Sequence, residues 1–172
     1  MSHLTKIIPI HPIFRNDNKN NNKNPHEHLL LIDFFSSFKD LPFKMSEKKI
    51  DYIGKMILAP MVKIGTLPTR LLAIDYGADL VYTEEIIDWR LLRSKRIEND
   101  QLETVDYIDQ SDDTLVLRIA PKKEKGKLVL QIGTSDKDRA VKVAKMVEND
   151  IDAIDVNMGC PKSFSMKGGM GG

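Results

Sequence analysis

Cys160 is the single cysteine of the chain and stands in Asp155-Val156-Asn157-Met158-Gly159-Cys160-Pro161-Lys162. An apolar, strand-like run (Ala153, Ile154, Val156) leads directly into a Gly-Cys-Pro turn. That places one thiol on a sharp loop at the end of a buried strand, where parallel α/β folds carry their chemistry. A lone cysteine is more often a small core hydrophobe. The turn formers around this one, with Lys162 and Lys167 following, favour an accessible thiol. Other polar groups fall at comparable places. Pro60 and Met61 follow one apolar run, Glu84 and Glu85 a second, Gln131 closes a third, and Asn157 precedes the thiol. Strand ends in any α/β protein approach solvent and carry polar residues. Four in succession with one unique thiol point to a shared pocket.

The elements that must position these groups are legible from Lys55 onward. Met56-Ile57-Leu58-Ala59 reads as a short strand ended by Pro60. Thr66 caps a helix with Pro68 in its first turn, Leu67, Leu71 and Ile74 recur at helical spacing, and Gly77 stops it. Asp79 to Thr83 is a second strand, and a helix over 88–95 follows the Glu84-Glu85 loop. Leu115 to Ile119 and Leu128 to Ile132 read as two strands of a hairpin joined by a Lys- and Gly-containing loop. Ser135 opens the next helix in a capping-box-like start with Asp138, and Ala140, Val143, Ala144 and Val147 form its apolar stripe. The Ala153–Val156 strand comes last. Short apolar strands alternating with helices at roughly 30-residue spacing argue for a parallel sheet covered by helices. A doubly wound sheet and a (β/α)8 barrel both satisfy this order. The barrel needs roughly 250 residues, so here it would be half present.

Composition narrows the function classes. The 172 residues are 41% hydrophobic and 30% charged, as in a globular domain, and the net charge of +1 gives no global signature of a nucleic-acid binder. RNA contact would come from local clusters: Arg90, Arg93, Lys95 and Arg96, expected on the helix after strand two, and Lys122, Lys123, Lys125 and Lys127 in the expected hairpin loop. Such runs are usually solvated faces. One cysteine excludes an intrachain disulfide and fits a reducing, cytoplasmic setting. The longest near-apolar run, 29–38, is about half the length of a membrane span, so no membrane association is expected. All four histidines (His3, His11, His26, His28) precede the regular region without ligand spacing, so no metal site is expected. Lys167-Gly168-Gly169-Met170-Gly171-Gly172 fits neither the dinucleotide fingerprint nor the P-loop, and reads as a loop shaping the pocket mouth.

The first 50 residues differ in kind. Asn16 to Asn24 is a low-complexity polar tract, and Pro9, Pro12, Pro25 and Pro42 interrupt any long element. Residues 1–50 are expected to be a disordered leader, with 51–172 the folded unit. Met45 opens a stretch that reads as an ordinary start, so 1–44 is either an extension or sequence upstream of the natural beginning.

Taken together, Leu58-Ala59-Pro60-Met61-Val62, Tyr82-Thr83-Glu84-Glu85, Gln131-Ile132-Gly133-Thr134, the Asp155–Lys162 stretch and Lys167-Gly168-Gly169-Met170-Gly171 resemble the tRNA-dihydrouridine synthases. The similarity is to the eukaryotic branch that reduces a D-loop uridine of cytoplasmic tRNA, and covers about residues 55–172. It implies the N-terminal half of a (β/α)8 TIM barrel, an FMN enzyme with NADPH as reductant and tRNA as substrate. By that resemblance Pro60, Met61 and Val62 lie against the flavin ring through the backbone, and Gln131 hydrogen-bonds its pyrimidine edge. Glu84, Glu85 and Asn157 line the substrate pocket, and Cys160 is the general acid. The chemistry is coherent: hydride reaches carbon 6 of a uracil, carbon 5 then needs a proton, and a free thiol, with its pKa near about 8.5, is protonated at neutral pH. The uracil must leave its stack, which favours a loop base.

The family barrel continues for four further strands, which include the flavin-phosphate site, so catalysis by residues 1–172 alone is not expected. Two other readings stay open: a flavin-dependent barrel reductase of a small pyrimidine or enone, and a catalytically inactive half-barrel that binds a partner. The target uridine and the oligomeric state are not legible.

Overall fold

The computed structural model describes residues 52–157. Its chain order is β1 (Ile57–Leu58), α1 (Leu67–Asp75), β2 (Leu80–Tyr82), β3 (Ile86–Ile87), α2 (Asp88–Leu92), β4 (Ser94–Asn99), β5 (Thr104–Asp109), β6 (Leu115–Ile119), α3 (Pro121–Glu124), β7 (Leu128–Gly133), α4 (Lys137–Val147) and β8 (Ala153–Val156). Residues 1–51 and 158–172, and with them the expected leader, Cys160 and the glycine-rich run, lie outside the described residues.

Four strands carry the architecture. β1 pairs with β2, β2 with β7 and β7 with β8, all parallel. Each βα unit therefore lays its strand beside the one before it. A doubly wound sheet reverses that order at a switch point, and no reversal occurs among the described strands. The fold is α/β, the opening half of a (β/α)8 barrel, and the doubly wound alternative falls. β3 continues the edge of β7 that β2 begins, with Ile86 opposite Ile132 and Ile87 opposite Gly133.

Strand alternation separates two faces. Val81, Leu128, Leu130, Ile132, Ile154 and Val156 belong to a core that includes Ala140, Val143, Ala144 and Val147 of α4. The apolar stripe of α4 is thus buried as its sequence spacing requires. Tyr82 and Val129 are register partners, as are Val129 and Ala153, and Gln131 and Asp155. They define the opposite face, the side that becomes the interior of a barrel.

The expected hairpin does not form. β6 pairs antiparallel with β5, and β5 with β4, in a separate three-stranded sheet. The reason is edge occupancy: β7 gives one edge to β2 and β3 and the other to β8, so none is left for β6. The helix expected over 88–95 ends at Leu92, so Lys95 and Arg96 lie on β4. The lysine-rich loop is in part the one-turn α3, with Gly126 in a left-handed turn (φ 81°). The cap of α4 is Asp136, whose carboxylate accepts from the Asp138 and Arg139 amides, and not Ser135.

Two buried ionic centres hold the pieces together. Arg70 and Glu124 are each 1% exposed and paired at 2.6 Å. Arg70 also donates to the carbonyls of Gly65 and Arg118 at 2.7 Å, and Glu124 accepts from the Ala120 amide at 2.8 Å. Five points on α1, α3, β6 and the flanking loops thereby meet at one guanidinium–carboxylate pair. Asp88, wholly buried, accepts from Thr134 (2.6 Å) and Arg139 (2.7 Å), which joins the start of α2 to the start of α4.

Gly65 is a close-approach position. A Cβ there would stand 2.3 Å from the Glu84 nitrogen and 2.6 Å from the Thr83 carbonyl carbon, both backbone atoms that cannot swing aside. Gly65→Ala should therefore cost about 1–3 kcal/mol through overpacking and part the loop after β1 from the loop after β2. Chemical denaturation measures it, and an unchanged midpoint would show that the two loops are not in contact.

Candidate active site

The carboxyl ends of β1, β2, β7 and β8 supply every described residue that the sequence singled out. After β1, Pro60 is half-buried, while Met61 and Val62 are 41% and 48% exposed and form an apolar ledge. The turn behind them is closed by the amides of Ile64 and Gly65 donating to the Met61 carbonyl. Lys63 adopts a left-handed conformation (φ 65°), and its amide donates to Glu84 Oε2 at 2.8 Å. Together with the close approach at Gly65, this fixes Glu84 to the first loop.

Thr83 produces the break between β2 and β3 from which the two glutamates project. Its amide continues the ladder to the Val129 carbonyl at 3.0 Å. Its hydroxyl then accepts from the Gln131 amide (3.0 Å) and donates to the Glu84 carbonyl (2.7 Å). A side chain thus takes a ladder position that a strand carbonyl would fill, and the backbone leaves the sheet for three residues. Glu85 packs over Gly133, where a Cβ would meet its Oε1 at 2.6 Å.

Gln131 is 8% exposed, and its Nε2 donates to Asp155 Oδ2 at 2.8 Å across the β7–β8 register pair. Burial pushes the Asp155 carboxyl above the usual carboxylate range, with the Gln131 hydrogen bond opposing the rise. Tyr82 occupies the same face. Burial and the Tyr52 hydroxyl at 3.3 Å drive its phenol well above the ordinary value, so it stays neutral. Asn157, half-buried, extends the ladder through its amide to the Ile132 carbonyl at 2.9 Å.

The structure therefore joins Glu84 to the Met61–Gly65 loop, Glu85 to Gly133, and Gln131 to Asp155. Asp155 is the residue that sequence reasoning passed over. The available signal was a carboxylate at an inward position of an otherwise apolar strand. A cavity of about 520 Å3 also opens between the start of α1, Thr83-Glu84 and the β5–β6 sheet. It shares Glu84 with the strand-end cluster but none of Pro60–Val62, Gln131 or Asn157. It is a cleft behind the cluster and does not replace it.

The three arginines of the first cluster and Lys122 of the second pair with carboxylates. Arg93 and Arg90 pair with Asp109, Arg96 with Asp150 and Glu98, and Lys122 with Glu103. The arginines thereby support the three-stranded sheet and its neighbours, since the side chains of their partners Asp109 and Asp150 are 0% and 5% exposed. Among the described residues no group of acidic, His or Cys side chains could hold a metal ion, and no helix is long and apolar enough to cross a membrane.

Stability should follow pH in a defined way. The Arg118 guanidinium holds Asp106 below the carboxylate range, Arg93 does so for Asp109, and the Arg139 amide for Asp136. Depressed folded-state values mean that the unfolded chain binds more protons. This stabilisation is full above about pH 4 and is lost as pH falls through the folded values. Asp155 has the opposite sign: its raised value makes the ionised form a cost at neutral pH that acid relieves. Acid titration followed by circular dichroism should show Asp109→Asn flattening the acid limb and Asp155→Asn raising stability at neutral pH. A neutral-pH loss in Asp155→Asn would contradict the assigned sign.

A partial (β/α)8 barrel with loop-borne polar groups at the strand carboxyl ends defines the class, an α/β-barrel protein with its site at that face. The family model for dihydrouridine synthase (Dus) matches residues 57–172, and the chain belongs to that family. The tRNA-dihydrouridine(20) synthase (NAD(P)+) of Saccharomyces cerevisiae is 50% identical over 127 residues, covering 71% of this chain and 33% of that protein. The protein of the same description from Schizosaccharomyces pombe is 43% identical over 125 residues, covering 71% of this chain and 26% of its own length. A tRNA-dihydrouridine(16/17) synthase (NAD(P)(+)) from Saccharomyces cerevisiae is 33% identical over 125 residues. The chain spans about a quarter to a third of the length of these relatives.

Proposed function

We propose that residues 51–172 supply the first half of the catalytic barrel of a cytoplasmic tRNA-dihydrouridine synthase that reduces a D-loop uridine, with residues 1–50 standing outside it as a leader. The observation that carries this reading is the convergence of Pro60–Val62, Glu84, Glu85, Gln131 and Asn157 at the carboxyl ends of adjacent parallel strands. It occurs in a chain whose 50%-identical relative is named a tRNA-dihydrouridine(20) synthase.

The residues present fit a flavin. Met61 and Val62 offer an exposed apolar ledge to a planar ring. Gln131 offers a buried carboxamide whose Oε1 receives no donor from the described residues, which suits the polar edge of an isoalloxazine. When bound, FMN reduced by NADPH supplies the hydride for carbon 6 of a uracil. The chain's own groups do the rest. Pro60, Met61 and Val62 seat the ring, and Gln131 fixes its pyrimidine edge. Glu84, Glu85 and Asn157 line the space for the base. Cys160 gives a proton to carbon 5, since a thiol near its ordinary pKa is protonated at neutral pH.

The test is turnover by the full chain, the complete barrel included, with FMN and NADPH, comparing unmodified tRNA with free uracil. NADPH oxidation that depends on tRNA and yields dihydrouridine supports the reading. Turnover of free uracil without tRNA would assign a small-pyrimidine reductase instead. A folded chain that binds no FMN would leave a non-catalytic barrel.

A further inference from the structure

We propose that Asp155 is a positioning residue that holds the Gln131 carboxamide in one of its two orientations, so that Oε1 and not the amide N–H faces the bound ring. The inference rests on the flavin reading above and names what that reading leaves open: the polarity of the contact. An outward carbonyl accepts only, so it selects a ring N–H flanked by carbonyls, the imide N3–H of a flavin.

Four observations carry this. Gln131 and Asp155 are register partners on adjacent parallel strands, with Nε2 to Oδ2 at 2.8 Å. A carboxylate has no N–H, so the group it faces must be the donor. An asparagine at 155 would pair with either face of the glutamine amide and leave both orientations open. Gln131 is otherwise immobilised: it is 8% exposed and its backbone amide is held by Thr83 Oγ1 at 3.0 Å. With Nε2 engaged by Asp155, Oε1 is the acceptor that the carboxamide has left to offer a ligand, and no described residue donates to it. Finally, the carboxylate is kept at a cost. Burial raises the Asp155 pKa beside the neutral Tyr82 phenol, and an amide would make the same contact without a buried charge. A costly carboxylate where a neutral isostere would fit is a mark of function over stability.

The experiment strips the full-chain holoprotein of flavin and titrates it with FMN and with N3-methylated FMN, followed by flavin fluorescence. The methyl group removes the one N–H of that edge. In the wild type the analogue should bind more weakly by about 10-fold or more, the range for a buried acceptor left unpaired. Asp155→Asn should bind both flavins with the discrimination reduced several-fold, toward that of Gln131→Ala. The exchange Gln131→Glu with Asp155→Asn restores a single donor–acceptor arrangement and should recover discrimination. Wild-type discrimination retained in Asp155→Asn, or none recovered in the exchange, overturns the proposal. A wild-type protein that binds neither flavin overturns the flavin reading itself, and is distinguished by that double failure. A merely structural Asp155 would weaken both flavins equally and leave their ratio unmoved, which also overturns the proposal.

Discussion

Cys160→Ala, in a chain that carries the complete barrel, is expected to retain its FMN and to lose about 10²–10⁴-fold in dihydrouridine formation, the range for removal of a general acid. The separation of the two readouts is the point. Pro60–Val62 and Gln131, which seat the ring in this account, lie on the loop after β1 and on β7, and none belongs to the cysteine loop. Flavin absorbance and affinity should therefore survive the substitution. The proton at carbon 5 should not, because Asn157 cannot act as an acid and the Glu84 side chain is already engaged by the Lys63 amide at 2.8 Å. Cys160→Ser should fall between, since a hydroxyl is a far weaker acid. Undiminished dihydrouridine formation by Cys160→Ala would remove the thiol from the mechanism.

The largest effect on stability is expected at Glu124. Glu124→Ala leaves the Arg70 guanidinium, 1% exposed, without its counter-charge, and the Ala120 amide without its acceptor. Breaking a buried pair from one side costs about 3–5 kcal/mol, a large part of the 5–15 kcal/mol of an ordinary domain. Glu124→Gln should cost less, because its carbonyl still accepts from the Ala120 amide or from Arg70. Replacing both partners with leucine should not recover the loss, since Arg70 also serves the carbonyls of Gly65 and Arg118. Because Gly65 lies in the loop that holds Glu84, the damage should reach the candidate site as well. Urea denaturation of the variants measures this, and a loss below about 1 kcal/mol in Glu124→Ala would show that Arg70 reaches water.

The four strands and the polar groups at their ends were legible because short apolar runs closed by Pro60, Thr83, Gly133 and Asn157 read as strands, whatever their partners. What the sequence concealed was of one kind. The sequence reading assigns no element to Thr104–Asp109, where Asp106 and Asp109 are buried in a strand by their pairs with Arg118 and Arg93. Glu124 stands among the lysines of a run expected to be solvated, and Arg70 falls outside the apolar stripe expected for its helix. The expected stripe of that helix, Leu67, Leu71 and Ile74, is only partly buried, and Arg70 is its one buried residue. Periodicity locates apolar groups, and it cannot tell a solvated charge from one neutralised by a partner 54 residues away. Asp155 escaped for the same reason, since its partner Gln131 lies on another strand. The hairpin error differed in cause: adjacency in sequence suggested pairing, and only the occupied edges of β7 forbid it.

The most direct test of the central claim is to map uridines in tRNA prepared without dihydrouridine, after incubation with the full chain, FMN and NADPH. The account predicts dihydrouridine at a D-loop position, formed by the wild type and not by Cys160→Ala. A wild-type protein that holds FMN and oxidises NADPH, yet leaves every tRNA uridine unreduced, would contradict it.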